Sequence, residues 1–187
     1  MPRAYAELTF TPNVRAIQEE QGSAASYAKF LAPEVSGGDA ITSREAEFIA
    51  ERDGFYQATV SETGWPYVQF RGGPRGFLKI LDAKRLAYAD FRGNRQYLSV
   101  GNLQSNDRIS LFLMDYPNRR RLKILGTVEL VDIEDNPDLI ARLHDPEYQA
   151  VPERAIVITL AGFDWNCPQH IPQRYTLEEL GKLELKQ

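Results

Sequence analysis

The residues of this sequence best suited to chemistry are basic side chains gathered in three places: Arg71 with Arg75 and Lys79, Arg92 with Arg95, and Arg119-Arg120-Arg121 with Lys123. A guanidinium presents a planar fork that matches two oxygens of a phosphate or carboxylate. Gly93-Asn94-Arg95 opens a segment read as a short helix, Asn94 to Leu103. A helix start adds free backbone N–H groups and a favourable dipole, so this turn reads as a phosphate cradle. Arg71-Gly72-Gly73-Pro74 offers another way to bring bare backbone close to a ligand. Arginines near turns are usually solvated surface when met singly; these stand out by their order along one strand-rich region.

Cys167 and His170 form a Cys-x-x-His pair, which is half a metal site, and the other histidine, His144, falls on a separate predicted helix. No zinc site is expected, and Cys167 reads as a buried structural thiol. A single cysteine also excludes an intramolecular disulfide. The formal net charge of -4 and pI near 5.3 oppose a general nucleic-acid or anionic-membrane surface, so any anion must be held locally. The aromatic residues Tyr56, Trp65, Tyr67, Phe70, Phe77, Tyr88, Phe91 and Tyr97 lie mostly at alternating strand positions, which suits packing better than base stacking. No stretch is apolar for long enough to span a bilayer as a helix, and MPRAYAELTF lacks a secretory pattern, so a cytoplasmic location is expected.

The elements that must position these groups begin with a weakly amphipathic helical arm, Asn13 to Leu31, broken by Gly22 and followed by a linker from Pro33 to Asp39. Residues 1–40 are thus read as arm and linker, and 41–187 as the main domain. Thr42 and Glu45 form a capping box before a helix reaching about Arg52. The period then switches to two. Strands are expected at Phe55 to Val60, Tyr67 to Arg71, Phe77 to Leu81, Leu86 to Asp90, Ile109 to Tyr116, Leu122 to Val131 and Ala155 to Leu160, with helices at Pro137 to His144 and after Thr176. Many short strands in so few residues predict a barrel or sandwich. Ile109 to Met114 is apolar at nearly every position, which predicts cover on both faces, the outer one by another element or another subunit.

The run Ala87-Tyr88-Ala89-Asp90-Phe91-Arg92-Gly93-Asn94-Arg95-Gln96-Tyr97, followed by Asn102-Leu103 and Asp107 to Leu113, resembles the core of the pyridoxamine 5'-phosphate oxidase-like FMN-binding proteins. Upstream, Trp65 to Val68 and Arg71 to Lys79 are similar to that family's hairpin and phosphate-binding strand. Downstream, Arg120 to Gly126 is similar to the strand that closes the flavin site. The resemblance runs from about Thr42 to Val131. It implies a mainly β fold with peripheral helices, an antiparallel split β-barrel of the FMN-binding type, working as a homodimer with the flavin at the subunit interface.

Carried over by position, the resemblance implies that Arg71 and Lys79 serve the FMN phosphate and ribityl region, with Arg95 and Gln96 as further phosphate ligands. Ala89, Asp90 and Asn94 would line the flavin through backbone or side-chain polar groups, and Arg121 would reach it from the second subunit. Gln96 stands where the oxidases usually have lysine, Arg121 where they usually have glutamine, and the loop between Arg71 and Lys79 is longer. Near the C-terminus, Trp165 is read as a wall of the flavin, with Asn166 or Gln169 hydrogen-bonded to a ring edge. The implied activity is an FMN-dependent oxidoreductase acting on a small molecule, with no side chain announcing itself as an acid or base. Pyridoxamine phosphate itself is not the expected substrate, because the oxidases' substrate-phosphate motif is missing. The alternatives are a sensor or carrier that binds FMN, a deazaflavin or haem without turnover, and a barrel that only binds partners.

Overall fold

The computed structural model describes residues 3–165 and 168–184. Its N-terminal arm is not one helix but three: α1 (Ala4–Thr9), α2 (Pro12–Glu20) and α3 (Ala24–Ala28), the last running into a 3-10 turn at Lys29–Leu31. The division is local chemistry. Thr11 caps α2 by accepting the Val14 N–H at 3.4 Å with Pro12 at its first position, and Gly22, at φ 71°, ends it. The expected capping box is present at the head of α4 (Ser43–Ala50), where Glu45 accepts from both the backbone and the hydroxyl of Thr42.

The strands are β1 (Gly54–Val60), β2 (Pro66–Gly72), β3 (Lys79–Asp82), β4 (Arg85–Phe91), β5 (Arg108–Asp115), β6 (Arg120–Asp132) and β7 (Pro152–Trp165). They form one antiparallel sheet in the order β2-β1-β5-β6-β7-β4-β3. Although β2 and β4 lie far apart in that order, the Arg71 side chain on β2 reaches Asp90 on β4 at 2.7 Å. The sheet must therefore curl until its ends meet through side chains rather than a backbone ladder. That is a split barrel.

The barrel interior is filled by the inward alternates of each strand, among them Phe55, Tyr88, Leu111, Leu113, Leu122, Ile124, Ile156 and Ile158, with Phe48 and Ile49 of α4 and the buried Phe77 and Leu78 closing one end. Each such side chain contributes about 1.5–3 kcal/mol by leaving water. Phe77 and Leu78 are this plug rather than the start of β3, which begins two residues later than the alternation suggests. A smaller core lies outside the barrel, where α6 (Pro137–Leu143) packs Ile140 and Leu143 on Ala87, Ala89, Ala155 and Val157. The strands covered on both faces within one chain are consequently β4 and β7. In β5, Ile109, Leu111 and Leu113 are buried, whereas Ser110, Phe112 and Met114 on the outer face stay partly exposed.

Two further boundaries bear on the site. Helix α5 (Leu98–Ser105) starts four residues later than read from the sequence, because Arg95 and Tyr97 take left-handed φ values of 62° and 53°. Strand β7 begins at Pro152 and runs through Trp165, absorbing Arg154 at one end and Asp164 at the other. Helix α7 (Leu177–Glu184) follows Thr176, which donates to Glu179 in the helix's first turn as expected. Among the described residues no helix is long and apolar enough to cross a membrane.

Candidate anion-binding cleft

Strand alternation puts Tyr67, Gln69 and Arg71 on the inward side of β2, and Leu86, Tyr88 and Asp90 on the inward side of β4. Asp90 sits opposite Arg154 in the β4–β7 register. Its two carboxylate oxygens are divided between two guanidinium groups: Oδ1 accepts from Arg71 at 2.7 Å, and Oδ2 accepts from Arg154 at 2.6 Å. All three residues are largely buried, with side chains 5% exposed for Asp90, 17% for Arg71 and 15% for Arg154. A buried carboxylate holds two cations in place that would otherwise repel each other.

Below them is a polar layer inside the barrel. The Tyr88 hydroxyl donates to Gln57 Oε1, and the Arg71 guanidinium lies 6.0 Å from the Tyr88 ring centre. Burial pushes the Tyr88 phenol well above its ordinary range, so it remains a neutral donor.

The cleft above this floor is closed by the segment from Phe91 to Val100. Asn94 Oδ1 accepts the Gln96 backbone N–H at 3.2 Å, which folds the turn. Glu153 receives Arg92 Nε at 2.9 Å and the Tyr97 hydroxyl at 3.1 Å. The Arg92 hydrogen bond is the main reason the Glu153 carboxyl titrates below its ordinary value. Arg95 Nε donates to the Tyr97 hydroxyl at 3.4 Å, and Arg154 lies 5.5 Å from the Tyr97 ring. No side chain caps the N-terminus of α5, whose first residues Leu98, Ser99 and Val100 line the cleft; Ser99 donates to Gln69 at 2.8 Å and so ties α5 to β2.

Of the residues singled out from the sequence, this cleft gathers Arg71, Asp90, Asn94, Arg95 and Gln96. Others lie elsewhere. Lys79 is exposed on the short strand β3, opposite Ala87. The Ala89 side chain points away from the cleft into the α6 core. Arg121 sits on the outer face of β6, 5.5 Å from the Phe112 ring, with its Nε buried and unpartnered. Trp165 donates from Nε1 to Glu45 at 2.7 Å and packs edge-on against Phe48 at 4.8 Å, beyond the far end of β7 from Arg154. Gln169 and His170 are exposed, whereas Asn166 and Cys167 lie outside the described residues. Among the described residues no group of His, Cys, Asp and Glu is placed to hold a metal.

Arg154 is the member of this charge cluster that sequence reading missed. Extending the inward series Leu160, Ile158, Ile156 back by two positions reaches it.

The fit to an oxyanion can be judged on the cleft's own donors. Arg71 Nε is buried and has no hydrogen-bond partner, an arrangement that costs about 1–3 kcal/mol unless an acceptor arrives. Arg95 at the rim and the uncapped start of α5 add a cation and backbone donors around the same opening. The enclosed volume is only about 60 Å³. The cleft therefore suits a terminal phosphate, and the remainder of a larger ligand would extend over the outside.

Comparison with known proteins agrees with this architecture. A family model described as pyridoxamine 5'-phosphate oxidase matches residues 41–161. Among curated protein sequences, none matches this chain. HupZ of Group A Streptococcus superposes with a TM-score of 0.55 at 16% identity, covering 72% of this chain and 100% of its own. An FMN-binding protein of Syntrophomonas wolfei does so with a TM-score of 0.52 at 14% identity, covering 65% of this chain and 83% of its own. At these identities the solved structures speak for the fold, while the family model spans well over half of the sequence. The chain belongs to the pyridoxamine 5'-phosphate oxidase-like family of split-barrel proteins.

Proposed function

We propose that this protein is an FMN-dependent oxidoreductase that holds the FMN phosphate in the cleft between β2, β4 and α5 and works as a homodimer. The observation that carries the reading is the Arg71–Asp90–Arg154 bridge with Arg71 Nε left unpartnered at a phosphate-sized opening. Membership of the family and the fold shared with an FMN-binding protein support FMN as the phosphate's owner.

In this reading Arg71 and Arg95 bind phosphate oxygens, Asp90 orients Arg71 and Arg154, and Asn94 and Gln96 shape the loop over the phosphate. When bound, FMN supplies two-electron redox chemistry. A flavin anchored here would leave its ring beside the outer face of β1 and β2, where Tyr56, Val68 and Phe70 are 39%, 61% and 59% exposed. So large an apolar surface next to the cleft suits cover by a second copy, and Arg121 of that copy would place a cation near the ring, where it stabilises reduced flavin.

The test is the absorption and mass spectrum of the small molecule that copurifies, with sedimentation of the loaded protein. Oxidised-flavin absorption, the mass of FMN and a dimer are expected. Copurified haem or deazaflavin would overturn FMN, and flavin that no reduced nicotinamide or other donor bleaches would favour a carrier. Arg95→Ala is expected to weaken FMN about tenfold in a fluorescence titration with melting temperature unchanged, since it removes one charge-assisted contact at the exposed rim.

A further inference from the structure

A second cavity, of about 750 Å³, lies between the N-terminal arm and the far ends of β6 and β7. This is the range of small-molecule pockets. Its wall carries the rings of Tyr5, Phe10, Tyr27, Phe30 and Trp165. Phe10 meets Tyr27 edge-on at 5.7 Å and Tyr27 meets Phe30 at 6.1 Å, so these three rings form one run of the lining, with Tyr5 and Trp165 elsewhere in the wall.

One side of the cavity is pinned. The backbone of α1 lies against Gly162 of β7 so closely that a Cβ there would sit 2.8 Å from the Tyr5 nitrogen. The Arg3 N–H donates to Phe30 at 3.0 Å and the Ala4 N–H to Gly37 at 3.1 Å. The opposite rim is loose: neither α2 nor α3 buries a single residue, and Val14 and Tyr27, both in the lining, stay 38% and 42% exposed. An arm held at its base, with apolar side chains turned toward an empty space, leaves surface that a ligand would remove from water.

The charges in the wall are unequal. Lys123 pairs with Asp164 at 2.9 Å and lies 4.5 Å from the Tyr5 ring, so it is already compensated. Arg3 lies 5.2 Å from the Phe30 ring, and among the described residues no carboxylate pairs with it. The geometry points to a binding site in this cavity for a planar aromatic molecule carrying one negative group, its rings against Tyr27, Phe30 and Trp165 and its anion on Arg3. The site is separate from the Arg71 cleft, because β7 carries Arg154 near one end and Trp165 at the other. It does not rest on the flavin reading.

The probe is 8-anilinonaphthalene-1-sulfonate, with neutral N-phenyl-1-naphthylamine as the comparison, titrated calorimetrically into the full chain with and without saturating FMN. One sulfonate probe per chain is expected, undisplaced by FMN. Arg3→Gln should weaken the sulfonate about tenfold and change the neutral probe by less than about twofold; Tyr27→Ala should weaken both about fivefold. Arg71→Gln should leave both unchanged. No binding, affinity insensitive to Arg3→Gln and Tyr27→Ala, or loss of the probe on adding FMN or in Arg71→Gln would each overturn the site. Circular dichroism of the two arm variants shows that the fold is kept; Arg3→Gln alters an exposed side chain and keeps the test sound if Tyr27→Ala does not fold.

Discussion

Asp90 and Asp115 are both almost fully buried, at 4% and 1% exposure, and each holds two arginines. Around Asp115 no buried donor among the described residues lacks a partner. Arg120 gives two nitrogens to Oδ2 at 2.9 and 2.7 Å, and Asn118 adds bonds from backbone and side chain. Arg52 lies 3.7 Å from Oδ1 and uses its remaining capacity on Phe48, Met114 and Glu51. Both guanidinium groups also lie over the Phe48 ring, at 4.8 and 5.4 Å. Around Asp90 each arginine gives one nitrogen, and Arg71 Nε has no partner. The same residue types make a lock around Asp115 and an open cleft around Asp90. What separates them is a buried donor left without a partner, Arg71 Nε, which neither burial nor charge alone reveals.

The largest expected effect tests the lock. Asp115→Asn should cost about 2–3 kcal/mol in urea unfolding, because it removes the acceptor of a buried charge cluster whose Arg120 can still reach water, while FMN affinity of the folded protein stays unchanged. Flavin loss without loss of stability would reverse the two roles. Next, Arg71→Gln should weaken FMN about thirtyfold in a fluorescence titration, removing one charged donor to phosphate. Its stability should fall by less than about 1 kcal/mol, since Asp90 keeps Arg154; a stability loss matching that of Asp115→Asn would erase the distinction.

The smallest effect is in acid. Burial raises the Asp115 carboxyl, but hydrogen bonds from Arg120 and then Asn118 outweigh it and hold the group below its ordinary value of 3.8. A depressed folded value contributes stability above pH 3.8, and that contribution is lost as pH falls through the folded value. Urea midpoints of the parent and Asp115→Asn should therefore differ by a constant amount above about pH 5 and converge below pH 3.8. A gap independent of pH would mean that the carboxylate charge is not what holds this cluster together.

Local chemistry was legible wherever neighbours in sequence decide the outcome. The capping box at Thr42 and Glu45, the Pro137 helix start and the period-two strands other than β3 and the ends of β7 lie where residue types place them, since each depends on bonds within a few positions. The turn holding Asn94, Arg95 and Gln96 was equally visible, and it does line the cleft, although the left-handed Arg95 and Tyr97 delay the helix behind it. Trp165 and Lys79 show the limit. Their types suited a place beside Arg71 and Arg95, but the strand that carries each one, and its place in the sheet order, keeps it out of that cleft.

By itself, then, the sequence determined the alternating strands of a barrel and a turn rich in basic and polar side chains between two of its elements. Only the tertiary structure decided that Arg71, Asp90 and Arg154, separated by 19 and 64 positions along the chain, share one carboxylate at the mouth of a cleft. The reason is topological: β4 crosses to lie beside β7, and the curled sheet brings β2 across to meet them. Periodicity tells which face of a strand a residue occupies, but what stands opposite depends on sheet order and closure, and these are set by the packing of the whole core.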